Sequence, residues 1–88
     1  MKTLIYSVKE IPGKKIASKR QLTHAVIGSG DYDWMVSAGF QNMGAREAYD
    51  KVEVLRWCDS YENAMKGINH FKKGYKNLRI VEAISEIK

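Results

Sequence analysis

The stretch that most constrains the fold is DSYENAMKGINHFKKGY, residues 59–75. Asp59 or Ser60 supplies a side-chain oxygen that can accept from first-turn amides, and Glu62 follows Asp59 by three in a capping-box arrangement. Tyr61, Ala64, Met65, Ile68 and Phe71 then recur at helical spacing, with Glu62, Lys66, Asn69 and Lys73 on the other side. Gly74 stands where a left-handed stop residue is expected. Lys72, Lys73 and Lys76 fall at the negative end of this helix, where each cation is favoured by roughly 0.3–1 kcal/mol. They therefore have a structural reason to exist, independent of any ligand.

A helix so amphipathic needs a sheet to cover, and extended patterns surround it. TLIYSVK, residues 3–9, alternates, with Leu4, Tyr6 and Val8 on one side. Pro12-Gly13 marks a turn, so residues 11–20 read as a flexible basic loop. LTHAVIG and YDWMVSAGF flank GSGD, where Gly28 and Gly30 suit a tight hairpin, so residues 22–40 read as a β-hairpin. In its second arm Tyr32, Trp34, Val36 and Ala38 share a face, which predicts a core position for Trp34; helix phase predicts one for Phe71. In residues 41–51 Asn42 is placed to cap a short helix, although Gly44 weakens it. VEVLRWC, 52–58, carries apolar residues on both faces, as an inner strand does, and NLRIVEAI closes the chain as a strand.

The expected fold is α+β: a small antiparallel or mixed sheet of about five strands with one amphipathic helix on a face, in the order β-β-β-(short α)-β-α-β. Eighty-eight residues make a single domain spanning 1–88, with an expected radius of gyration of about 12 Å. Such a chain hides roughly 60–65% of its unfolded surface, enough for one thin core.

One cysteine, Cys58, leaves no internal disulfide. No charged-then-apolar leader follows Met1, and no run approaches the ~20 apolar residues of a membrane span. A cytoplasmic chain with no membrane partner is the expectation. Cys58, His24 and His70 do not fit a structural zinc spacing, so neither metal nor cofactor is expected.

Chemistry is mostly bounded by what is missing. Nucleophilic catalysis needs a nucleophile, a base and an orienting group. Cys58 ends an apolar strand, where a free cysteine usually acts as a small hydrophobe. His24 shares an apolar face with Leu22 and Val26 and reads as a satisfied structural histidine; His70 lies near the polar boundary of the helix. Asp31 and Asp33 form the nearest acidic pair, but turn chemistry already favours aspartate there. GSG lacks the lysine and spacing of a phosphate loop. The expectation is a protein that is not an enzyme.

Binding is the better class, and two surfaces compete. The net charge of +5 is unevenly spread: residues 1–30 carry six Lys or Arg against Glu10, whereas 31–62 carry seven acids against three bases. A nucleic-acid surface would use Lys14, Lys15, Lys19 and Arg20, joined by Lys72, Lys73, Lys76 and Arg79, with steeply salt-dependent phosphate contacts. The bland alternative is a merely solvating charge. A protein surface would use Tyr32, Arg46 and Tyr49, since Tyr, Trp and Arg are enriched among interface anchors. An exposed sheet edge would also let two copies pair as a homodimer.

The run Ser18-Lys19-Arg20-Gln21-Leu22-Thr23-His24-Ala25-Val26-Ile27, followed by Trp34, resembles a segment of small bacteriophage-encoded proteins of unknown function. The likeness covers residues 18–38 and carries over no site residues. It implies a context: a phage-type accessory protein, anti-defence or anti-CRISPR-like, that inhibits or redirects a host protein or nucleoprotein complex by covering a surface. A basic chain disfavours mimicry of DNA, and the runner-up is a small nucleic-acid-binding protein.

Overall fold

The computed structural model describes residues 3–41 and 44–86. In chain order the elements are β1 (Leu4–Val8), β2 (Ile11–Ser18), β3 (His24–Gly30), α1 (Tyr32–Ser37), α2 (Arg46–Tyr49), β4 (Val52–Cys58), α3 (Tyr61–Phe71), β5 (Tyr75–Glu82) and β6 (Ile84–Glu86). The strands form two antiparallel three-stranded sheets, ordered β2-β1-β6 and β4-β3-β5. The single five-stranded sheet with one covering helix is therefore replaced by two sheets and three short helices. The molecule is elongated, with a radius of gyration of 14.3 Å and extents of 45 × 25 × 19 Å.

The β4-β3-β5 sheet organises the rest. β3 is its centre and is buried from Ala25 to Gly30, so β3, and not β4, is the inner strand. β4 and β5 each run antiparallel to β3 and hence parallel to one another. Parallel strands on either side of a third need a crossover connection, which a tight turn cannot supply. α3 is that crossover. Ser60 is its N-cap, accepting from the Asn63 amide at 3.1 Å. Asp59 instead takes the Asn63 side-chain amide at 2.6 Å, so the reciprocal Asp59–Glu62 box gives way to a Ser60–Asn63 cap. Gly74, at φ 92°, is the left-handed residue that turns the chain into β5.

The helix seats through Ala64 on Val26 and Cys58, with Ile68 and Phe71 of the helix and Leu78 and Ile80 of β5 packed around them. Its contact face is narrower than the apolar stripe suggests. Ala64 and Gly67 are buried, whereas Tyr61 and Met65 stay exposed. Close approach explains this: a Cβ on Gly67 would lie 3.2 Å from Val26 Cγ2 and from Arg56 Cδ.

Three local expectations change. Residues 32–37 form α1 and not the return arm of a hairpin, because β4 and β5 already occupy both edges of β3. Gly28 and Gly30 lie inside β3, and neither adopts a positive φ. The basic segment expected as a loop is β2, paired with β1. Its turn is at residues 9–10, and the register jumps from Val8↔Ile11 to Ser7↔Lys15. Pro12 and Gly13 fall in that irregular stretch of an edge strand, where a missing amide donor costs no ladder bond. The C-terminal strand is divided as well: at Ala83 the chain leaves β3 for β1, and the Ala83 amide donates to the Thr23 carbonyl at 3.0 Å. That bond satisfies the backbone at the switch between sheets. The expected capping role of Asn42 lies outside the described residues; helix α2 begins at Arg46 behind Ala45.

Candidate protein-interaction face

Beyond the Gly30 end of β3, α1 is built by signals at both of its ends. Asp31 accepts from the Trp34 amide at 3.2 Å, closing the first turn. At the other end Gly39, at φ 92°, donates to the Val36 carbonyl at 3.1 Å, and the Phe40 amide donates to the Met35 carbonyl at 3.1 Å. This paired bonding is a Schellman stop, which only a left-handed residue accommodates easily. None of the six residues of α1 is buried. Trp34 is 38% exposed, Val36 50% and Phe40 58%, and the Trp34 and Phe40 rings lie 6.3 Å apart at 43°. The core position expected for Trp34 is thus corrected. Strand phase placed it with buried neighbours; helix phase puts it on an open face. Phe71, by contrast, is half-buried against the core.

The three residues named as protein anchors meet here. The Arg46 guanidinium lies 4.7 Å from the centre of the Tyr32 ring, and Tyr32 meets Tyr49 edge-on at 5.6 Å. Arg46 also pairs with Asp33 at 2.6 Å. That hydrogen bond, with the guanidinium's charge, holds the Asp33 carboxyl below the usual carboxylate range. Tyr49 closes the group by packing against Gly30 and accepting from the Gly44 amide at 3.3 Å. The exposed Trp34–Phe40 pair lies on the same segment and was not singled out as an anchor. Asp31 as a cap and Gly39 as a stop were the signals that could have revealed their helix.

Of the eight basic candidates, three are engaged by carboxylates. Arg20 pairs with Asp59 at the start of α3, Lys15 with Glu86 at 2.9 Å, and Lys76 with Asp50 at 3.2 Å. Arg79 donates to the Asn77 carbonyl at 3.1 Å. Lys14, Lys19, Lys72 and Lys73 are exposed and make no ion pair among the described residues. Arg20 and Lys72 stand at opposite ends of α3, whose eleven residues span about 16 Å.

His24 and Cys58 are directly opposite in the β3–β4 register. The His24 ring nitrogen Nδ1 is bonded to Thr23 Oγ1 at 2.8 Å, and Tyr61 lies edge-on to the ring. Burial pushes the Cys58 thiol up, away from the thiolate a nucleophile needs. His70 is exposed near the far end of α3. Among the described residues no three of His, Cys, Asp or Glu converge as metal ligands, and no helix is long and apolar enough to cross a membrane. No family model matches the sequence, and neither a curated protein nor a solved structure matches it.

Proposed function

We propose that this chain is a non-enzymatic binding protein that docks on a partner protein through α1 and the Arg46–Tyr49 segment. The observation that carries the reading is the solvent-open pair of Trp34 and Phe40, 6.3 Å apart, on the same short segment as Tyr32, which Arg46 and Tyr49 hold in place. Interface centres are rich in Trp, Tyr, Phe and Arg, and a few such anchors dominate the binding energy. The cluster around Arg46 prepays part of the ordering cost, because ring, guanidinium and carboxylate already hold one another. The setting we propose is the one the resemblance read from residues 18–38 would imply: a protein of phage type, in the host cytoplasm, that inhibits or redirects a host protein complex by covering a surface. A nucleic-acid surface is less well supported, since Lys15, Arg20 and Lys76 are engaged by carboxylates.

The test compares capture from host-cell extract by the wild-type chain, by Trp34→Ala/Phe40→Ala and by Lys14→Ala/Lys19→Ala. The reading expects one protein retained by the wild type and by the lysine variant and lost with the aromatic variant. Retention that depends on the lysines and is abolished by nuclease would replace it with the nucleic-acid reading.

A further inference from the structure

Around the aromatic face most charges are already matched. Asp33 is taken by Arg46, Asp50 by Lys76, and Asp31 serves as the cap of α1. Lys72 and Lys73 are exposed and not matched among the described residues, and they immediately precede Gly74, which meets this face. The Asp31 amide donates to the Gly74 carbonyl at 2.8 Å, and a Cβ on Gly74 would lie 3.4 Å from Trp34 Cζ3. Gly74 therefore abuts the Trp34 ring, with Lys73 and Lys72 the two residues before it. On the α2 side the exposed carboxylate of Glu47 is likewise without an ion pair among the described residues. The face thus has an apolar centre, Lys72 and Lys73 beside its Gly74 contact, the capping Asp31 carboxylate at its base, and Glu47 toward α2.

Resting on the protein-docking reading above, we infer that the occupant of this face is an acidic protein segment. It sets an aromatic or aliphatic anchor against Trp34 and Phe40, with its carboxylates lying toward Lys72 and Lys73. The apolar anchor supplies the desolvated centre, and the carboxylates set orientation and speed encounter, as charges at the edge of an interface do. A basic segment would meet the two lysines with like charge, and a neutral one would leave them unused. The lysines also suit the negative end of α3, but that role asks only for cations near the last turn. It does not ask that they adjoin the glycine that meets an exposed tryptophan.

The experiment selects binders to the immobilised full-length chain from a random-peptide library, with Trp34→Ala/Phe40→Ala as the counter-selecting bait. Selected peptides and a random-sequence single-stranded oligonucleotide are then titrated by fluorescence anisotropy. The inference expects acidic peptides with an aromatic or aliphatic residue. Their affinity should fall about tenfold or more in Lys72→Glu/Lys73→Glu, fall less in Lys72→Gln/Lys73→Gln, and weaken as salt rises. Circular dichroism of each variant checks that the fold is kept. Trp34-dependent peptides with no acidic bias and no response to Lys72→Glu/Lys73→Glu would overturn the acidic partner while leaving the docking face standing. Absence of any Trp34-dependent peptide would overturn both, and Trp34-dependent binding of the oligonucleotide alone would assign the face to nucleic acid.

Discussion

Replacing Gly67 by alanine sets helix propensity against packing at a single atom. In the middle of α3 alanine is favoured over glycine by about 0.8–1 kcal/mol. The new Cβ would stand 3.2 Å from Val26 Cγ2 and from Arg56 Cδ, against an ordinary carbon–carbon separation of about 3.5–4.0 Å. Arg56 is exposed and can swing aside. Val26 cannot: it is fully buried on the central strand, paired to Arg56 and Ile80, and β-branched, so its side chain has few alternatives. Overpacking of this kind costs about 1–3 kcal/mol, so the balance is a net loss of about 1 kcal/mol, or about 4–8 °C in Tm for a domain of this size. Urea unfolding followed by far-UV circular dichroism measures it, with the slope expected to stay constant. Val26→Ala removes the obstructing methyl groups, so in that background Gly67→Ala should become stabilising by nearly its full propensity gain. Additive single effects, with Gly67→Ala stabilising on its own, would refute the seating of α3 on Val26.

Tyr6 is 2% exposed, and its hydroxyl is buried without a hydrogen-bond partner among the described residues. Tyr6→Phe should therefore leave stability unchanged or raise it by about 1–2 kcal/mol; a loss beyond 1 kcal/mol in urea unfolding would show that the hydroxyl is satisfied. Asp59 is held below the usual carboxylate range by the Asn63 side-chain amide and then by Arg20. A depressed carboxyl contributes stability above its unfolded pKa and loses it as pH falls through the folded value, so acidification below about pH 4 should weaken the start of α3. An NMR titration of the Asp59 carboxyl should give a midpoint that rises in Asn63→Ala; an unmoved midpoint would contradict the assignment. Cys58 is buried with its thiol pushed up, so iodoacetamide should modify it only on unfolding. Rapid labelling of the folded chain would count against its place beside Val26.

What could be read from the sequence was what is decided locally. The start of α3, its stop at Gly74 and the strand character of residues 4–8 and 52–58 are written in neighbouring residues, and all recur in the structure. Pairing partners are not written that way. Pro12-Gly13 signals irregular backbone, but only β1 alongside turns that segment into an edge strand. The alternation in YDWMVSA fits a strand until β4 and β5 occupy both sides of β3, after which the cap at Asp31 prevails. That one change of element moved Trp34 and Val36 from an expected core face to solvent, so the apolar centre of the candidate site went unseen. Tyr32, Arg46 and Tyr49 were legible as residue types suited to binding. Their mutual contact across fourteen to seventeen positions of chain needed the fold.

The proposed face stands or falls with helix α1, and NMR of the isolated chain tests that most directly. Backbone carbon shifts should mark residues 32–37 as helical. Cross-strand contacts should join Ala25 to both Trp57 and Val81, and the Trp34 indole should respond to a soluble paramagnetic probe. Extended shifts over residues 32–38, with cross-strand contacts between them and β3, would restore the hairpin and remove the aromatic docking face.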